Sequence, residues 1–86
     1  MAELQVSVVA ADHEVWSGAA KQIIARTTEG EIGILPGHQP LLAILASGEV
    51  RVTAASGEQI TANADNGFLS VDNDVVTVVA GEAALI

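Results

Sequence analysis

The sequence predicts an all-β domain: a flattened sandwich or barrel of two antiparallel sheets, with roughly ten short strands. Half of the residues are apolar, and these are mostly Ala, Val, Ile and Leu, with one Phe, one Trp and no Tyr. Short segments alternate between apolar and polar residues, whereas no long stretch has helical spacing. Turn signals recur at the close intervals that are typical of sandwiches. We therefore expect residues 1–86 to form a single domain without linkers or repeats.

The first third of the chain contains segments with strand alternation, separated by a polar turn at residues 11–14. Trp16 is the largest apolar side chain and is expected to be at least half buried. Gly18 indicates a bulge or a point of close approach. The predicted strands are Leu4–Ala10, Val15–Ala20 and Lys21–Thr28.

The second half of the chain has the same pattern, with turn residues at 46–48, 56–57, 65–67 and 72–74. The predicted strands are Leu41–Leu45, Glu49–Ala54, Gln59–Ala62, Phe68–Val71, Val75–Ala80 and Ala83–Ile86. The apolar positions of the alternating segments predict the core. The expected core includes Val6, Val8, Ile23, Val50, Val52, Phe68 and Val78.

Between these halves, Thr28–Leu42 contains both prolines and three of the eight glycines. Pro36-Gly37 is a strong turn dipeptide, and Pro40 cannot donate to a sheet. The segment also contains several Ile and Leu residues, which favour burial. We predict a shaped loop that is pinned by its own side chains, of the kind that often carries function.

Two predicted strands, Phe68–Val71 and Val75–Ala80, have apolar residues on both faces. An antiparallel strand that faces water on one side should alternate. Either these segments lie in a barrel interior, or a partner protein covers their outer face.

The formal charge of −8 disfavours binding to nucleic acid or to anionic lipid. Cysteine is absent, which excludes disulfides and zinc–thiolate sites and fits a reducing compartment. The sequence shows neither a signal peptide nor an apolar run of membrane-spanning length. We expect a soluble, cytoplasmic protein without direct membrane insertion.

The sequence predicts no catalytic, metal or cofactor site. His13 lies between two acids, but neighbours on a turn point apart, and we interpret the segment as a solvated turn. Glu29 and Glu31 share a strand face, whereas glycosidase carboxylates come from different strands. Residues 72–74 begin like a calcium loop but lack its later Gly and Glu. Gly30–Gly33 lacks the lysine and the helix of a phosphate-binding loop.

The central segment nevertheless resembles a known signature. Glu29–Leu42, Glu-Gly-Glu-Ile-Gly-Ile-Leu-Pro-Gly-His-Gln-Pro-Leu-Leu, resembles that of the epsilon subunit of F-type ATP synthase, which is named delta in mitochondria. Val15–Gly18, Gly48–Val52 and Asn66–Val71 resemble other family stretches in the same order. Asn66 stands where a second glycine is common, and Asn tolerates a left-handed backbone.

The resemblance implies a β-sandwich at the foot of a central stalk, in a non-catalytic rotor subunit. Such a subunit packs on gamma, touches the polar loops of the c-ring and couples proton translocation to ATP synthesis, acting on the F1 catalytic core indirectly. It is peripheral, at the cytoplasmic face of an energy-coupling membrane, and needs no cofactor. The expected c-ring contacts are Glu29, Glu31 and His38, with Glu31 as the main contact and His38 as a secondary one. The expected gamma contacts are Leu41, Leu42, Phe68 and Val76.

Family members usually continue with two C-terminal helices that regulate ATP hydrolysis, and these 86 residues contain no such segment. We therefore expect this chain to leave hydrolysis uninhibited.

An alternative is a lipoyl or biotinyl carrier domain, which is also acidic, all-β and of similar size. Its modified lysine lies in Asp-Lys-Ala or Met-Lys-Met at a hairpin tip. The only lysine here, Lys21, lies in Ala-Lys-Gln at the start of a predicted strand.

Overall fold

A computed structural model describes residues 3–37 and 39–85, and every regular element within them is a β-strand. The all-β prediction is confirmed. The strands are β1 (Leu4–Val9), β2 (Glu14–Thr27), β3 (Gly30–Ile34), β4 (Leu41–Ala54), β5 (Gln59–Asp72) and β6 (Val75–Leu85).

The strands form one sheet that closes on itself. Its order is β1-β6-β5-β4-β2-β3, and β1 also pairs with the first half of β2. The strands β1, β6, β5, β4 and β2 therefore form a ring of five, and β3 extends from the second half of β2. A ring with an odd number of strands cannot alternate direction all the way round. One pair must be parallel, and it is β1 with β6. The expectation of purely antiparallel pairing was wrong at this seam.

The strands are fewer and longer than predicted, six within the described residues instead of roughly ten. β2 runs through position 21, β4 through residues 46–48, β5 through residues 65–67 and β6 through Gly81, where the sequence predicted breaks. Conversely, β3 lies inside the segment that was predicted to be a loop. Asn66 and residues 46–48 instead lie at irregular positions inside continuous strands, whereas the predicted turns at 56–57 and 72–74 do connect strands.

These irregular positions change which residues face inward. Along β2, the buried side is occupied by an even-numbered residue at Ala20 and by odd-numbered residues from Ile23 onward. The change occurs where the pairing with β4 shifts. Farther along the same pair of strands, Thr27 of β2 pairs with Leu45 of β4, and Ala25 pairs with Val50. Two steps along β2 therefore correspond to five steps along β4. Extra residues of this kind bend a strand and reset its alternation. Each bend lets one strand keep its apolar residues inside as it passes around the closed sheet.

β5 contains the most constrained of these positions. Asn66 has a φ of 54°, as its tolerance of left-handed backbone predicted. A Cβ atom on the following Gly67 would lie 1.8 Å from the carbonyl oxygen of Val79, so only glycine fits this close to β6. Trp16 is partly buried against the core, and its ring covers Gly18, so the close approach predicted at this glycine is made by a side chain.

The core consists of aliphatic residues from all six strands. Of the predicted core residues, six are buried: Val6, Val8, Ile23, Val50, Val52 and Val78. The prediction was wrong for Phe68, which is 39% exposed, whereas its neighbour Leu69 is fully buried. The bend at Asn66 reverses the alternation of β5 and therefore turns Phe68 outward.

This difference between neighbours yields a stability prediction. Leu69→Ala leaves a cavity in a closed core and should lower the free energy of unfolding by about 2–5 kcal/mol. Phe68→Ala removes a side chain that already contacts water, and should cost about 1 kcal/mol or less. Urea unfolding of the two variants measures both values. A greater loss for Phe68→Ala than for Leu69→Ala would contradict the assigned inward and outward faces.

Candidate functional site

An apolar row crosses the outside of the sheet. Ile44 on β4 is the register partner of Phe68 on β5, Phe68 is the partner of Val79 on β6, and Val79 is the partner of Val9 on β1. Register partners on adjacent strands present their side chains to the same face of a sheet. The row therefore extends over four strands, without a charged residue in it.

These four side chains, together with Leu42, form what we term the apolar face. Leu42 precedes Ile44 by two residues, so both point outward. Leu42 is 68% exposed and Ile44 is 58% exposed. Val9 and Val79 are half-buried by their neighbours on the sheet. Beside the row lies a second one that is polar but uncharged, formed by Ser70, Thr77 and Ser7.

The apolar face contains two of the four residues that the sequence suggested as gamma contacts. Leu42 and Phe68 lie on it. Leu41 points inward and packs against the core, and Val76 is fully buried, so the suggestion of Val76 as a contact surface was wrong. In strands with apolar residues on both faces, the sequence does not reveal which alternate set is outside. Ile44, Val9 and Val79 were missed for the same reason.

The tip of the β2–β3 hairpin borders the apolar face. The backbone amide of Thr28 donates to the carbonyl oxygen of Ile44 at 3.0 Å, which places the tip beside the apolar row. Buried Thr27 shapes the turn, since its hydroxyl donates to the carbonyl oxygen of Gly30 at 2.7 Å and accepts from the amide of Glu29 at 3.1 Å. Glu29 is exposed and makes no ion pair within the described residues. The hairpin thus presents a carboxylate next to the apolar face.

Glu31 has a different environment from Glu29. Its Oε2 atom lies 3.5 Å from Nη2 of Arg51 on β4, and its register partner on β2 is Arg26. Two of the three basic residues in the sequence therefore lie near this one carboxylate. The Glu31–Arg51 pair is exposed to solvent on both sides, so water weakens it. Both acids were predicted to contact the c-ring, with Glu31 as the main one. Within the described residues, the structure pairs Glu31, and not Glu29, with a basic side chain.

The loop from Leu35 to Pro40 lies between β3 and β4. Leu35 is exposed, and the amide of Gly37 donates to Oδ1 of Asp74, in the turn between β5 and β6, at 2.7 Å. The predicted contact His38 lies outside the described residues. The loop was expected to be pinned by its own side chains, and this bond shows that a distant turn also holds it.

At the β1–β2 turn, Nδ1 of His13 lies 2.5 Å from Oδ1 of Asp12. The hydrogen bond from His13, reinforced by the attraction of its charge when protonated, lowers the pKa of Asp12 below its ordinary value. The prediction that these neighbours point apart was wrong. Both side chains are nevertheless exposed, in agreement with the interpretation as a solvated turn.

Other kinds of site find little support. Among residues 3–37 and 39–85, no group of three His, Cys, Asp or Glu side chains could hold a metal ion. The same part of the chain has no helix with the length and hydropathy of a membrane span. Lys21 lies within β2 and not at a hairpin tip, which disfavours the carrier-domain alternative.

Comparisons with known proteins agree with the resemblance of the central segment. Residues 3–86 match the family model of the ATP synthase delta/epsilon chain β-sandwich domain. The chain is 53% identical to an ATP synthase epsilon chain of Micrococcus luteus, over 99% of this chain and 93% of that protein. It is 48% identical to an epsilon chain of Streptomyces avermitilis, over 98% of this chain and 68% of that protein.

Solved structures share the fold. A chain in the mitochondrial ATP synthase of Euglena gracilis, determined with its OSCP, F1 and c-ring, superimposes with a TM-score of 0.92 at 28% identity. The match covers 99% of this chain and 54% of that one. A chain in the central stalk and c-ring of the Tetrahymena thermophila mitochondrial enzyme has the same fold, with a TM-score of 0.73 at 17% identity, over 93% of this chain and 64% of that one.

The exposed Glu31–Arg51 pair leads to a prediction about salt. Exposed pairs contribute only about 0–1 kcal/mol and are screened by ions. Glu31→Gln should therefore lower the free energy of unfolding by no more than about 1 kcal/mol, and the loss should shrink as salt increases. Urea unfolding at low and high salt measures this, with Glu29→Gln as the control. A large, salt-independent loss would show that the pair is structural.

Proposed function

Because the chain belongs to the ATP synthase delta/epsilon chain family, whose members are non-catalytic subunits, we propose that it is a rotor subunit of the central stalk. In this role it binds gamma through one surface and the polar loops of the c-ring through another. It thereby helps to couple proton translocation to ATP synthesis, as a peripheral protein at the cytoplasmic face of the membrane.

The apolar face is the observation that carries the proposal. The chain has eleven acidic residues among 86, yet Leu42, Ile44 and Phe68 lie exposed and adjacent without a charge between them. Such a surface is costly in water and is typical of a protein interface. Its side chains come from strands that are fixed by the ring, so little ordering is needed on binding. We assign gamma to this face.

The β2–β3 hairpin tip supports the second contact. Its acids can attract basic and amide groups on the c-ring loops, which the family resemblance implies as partners. Glu29 is exposed and carries no ion pair among the residues that the structure describes, whereas Glu31 must share its charge with Arg51. Within the proposed contact, Glu29 therefore supplies the more available charge. Glu31 shapes the neighbouring surface through its pair.

A charge on the apolar face should prevent binding to gamma. Ile44→Glu would bury an unpaired carboxylate in the interface, and should weaken binding at least about 100-fold while the domain stays folded. Gln59→Glu, which adds the same charge at an exposed position at the start of β5, is the matched control. Calorimetric titration with purified gamma measures both affinities, and circular dichroism verifies folding.

Equal gamma affinity of Ile44→Glu and Gln59→Glu would show that gamma binds elsewhere. If Leu42→Glu also bound normally, the apolar face would need another partner. An interface of the proposed kind should bury at least ~1,000 Å² in total. To reach that area, the interface must also include the neighbouring polar row of Ser70, Thr77 and Ser7.

Charge reversal on the hairpin should weaken coupling without preventing assembly. Exposed charge pairs are each worth about 0–1 kcal/mol, so a single neutralisation has a small effect and a reversal adds repulsion. We expect the rate of proton-driven ATP synthesis to be lower in Glu29→Lys than in Glu29→Gln. It should likewise be lower in Glu31→Lys than in Glu31→Gln. Glu58→Lys, an exposed acid in the β4–β5 turn, is the control. Synthesis rates that are the same in all five variants would contradict a c-ring contact at this tip.

We also propose that these 86 residues do not inhibit ATP hydrolysis. The resemblance assigns inhibition to helices, and the described residues of this chain form strands and turns only. Added to an ATP synthase depleted of its own epsilon subunit, the chain should restore coupling but leave the hydrolysis rate unchanged. Calorimetry should detect no ATP binding. Clear inhibition, or saturable binding at micromolar ATP, would place regulation in the β-domain.

A further inference from the structure

We propose that Asp74 is a positioning residue for the Leu35–Pro40 loop. Its carboxylate holds the backbone of Gly37 from a turn that lies 37 residues away in the sequence. The bond holds the loop at Gly37, next in the sequence to the predicted contact His38.

The geometry of the β5–β6 turn places this carboxylate. Asp72 and Val75 are register partners, so Asn73 and Asp74 form a two-residue turn, with φ values of 49° and 62°. Turns of this kind fit the twist of a hairpin, and Asn and Asp tolerate the positive φ values. The main chain of Asp74 is held as well, since its carbonyl oxygen accepts from the amide of Gln5 at 2.8 Å. Asp74 is therefore fixed by the hairpin and by β1 before it reaches the loop.

The composition of the loop limits the backbone hydrogen bonds that can hold it, so the bond from Gly37 carries more weight. Pro36 and Pro40 have no amide hydrogen, which limits how many bonds the loop backbone can donate. Gly37 has a φ of 87°, a conformation that needs support because glycine is otherwise free to leave it. The bond from its amide to Oδ1 of Asp74, at 2.7 Å, has a charged acceptor and is stronger than a neutral one.

The consequence for function rests on the proposed c-ring contact. His38, one of the residues that the resemblance assigns to that contact, follows Gly37 in the sequence. Asp74 connects this loop to the turn of β5–β6 and to the start of β1, and β6 and β1 both contribute to the apolar face. Movement of the apolar face with gamma would then carry the loop with it. Loss of the carboxylate should loosen the loop and leave the core intact.

Two substitutions separate the carboxylate from the backbone conformation. Asp74→Gly keeps the positive φ but removes the acceptor, and Asp74→Asn keeps both an acceptor oxygen and tolerance of this φ. Asn73→Gly is the matched control, because it places glycine at the neighbouring positive-φ position of the same turn. All three variants should unfold at similar urea concentrations.

The direct test is amide hydrogen exchange at Gly37, measured by NMR in the isolated chain. Exchange should be about tenfold faster in Asp74→Gly, close to the parent rate in Asp74→Asn and unchanged in Asn73→Gly. The amide of Val52, in the core, should not respond in any variant. Equal Gly37 exchange in Asp74→Gly and the parent would overturn the positioning role, whatever the function of the loop.

The functional test is proton-driven ATP synthesis in the assembled enzyme. Asp74→Gly should lower the synthesis rate several-fold with unchanged gamma affinity, and Asp74→Asn should restore most of it. Fast Gly37 exchange together with normal synthesis would overturn the link between loop position and coupling. That result would leave the c-ring contact to be decided separately by the Glu29 and Glu31 variants.

Discussion

Closure of a five-strand ring is the constraint on which the rest of this structure depends. β1 lies between β2 and β6 and supplies the fully buried Leu4, with Val6 and Val8 almost as deeply buried. Without β1, the facing edges of β2 and β6 would each lose their partner, and open edges invite pairing with other chains. The odd number of strands makes one pair parallel. Closure of the ring therefore depends on β1, a strand near the N-terminus. It pairs with β2 and β6, which are distant from each other in the sequence.

The narrow ring also explains the composition of the core. Its inward positions include both branched aliphatic residues and small ones, the small residues being Ala20, Ala25, Ala54, Ala62, Ala64 and Ala80. Small residues leave room where opposite walls approach, and long strands must bend to follow the closed sheet. The bends in β2, β4 and β5 provide this, and each resets the inward alternation. Gly67 shows how tight the packing becomes, because even a methyl group there would collide with β6.

Local alternation was enough to predict the all-β class and most of the core, because a period of two within one segment depends only on neighbouring residues. It failed wherever the outcome depended on partners elsewhere. Phe68 and Leu69 are both apolar, and the bend at Asn66 determines which one points inward. The pairs Glu31–Arg51 and Gly37–Asp74 join residues that no local pattern connects. The motif at residues 29–42 indicated the family, but it did not show that Glu31 is the acid that pairs with Arg51.

The two proposed contact surfaces are joined by the sheet itself. The apolar row runs from Val9 through Val79 and Phe68 to Ile44, and the amide of Thr28 bonds to Ile44 at the hairpin tip. The steps along the row are pairings of neighbouring strands, and the last step is a backbone hydrogen bond from the hairpin turn. A load applied by gamma on the apolar face would reach the hairpin across backbone hydrogen bonds, which resist displacement collectively. A stiff closed ring suits the proposed role of passing rotation on, because any compliance in the connection would absorb the motion before it reached the next subunit.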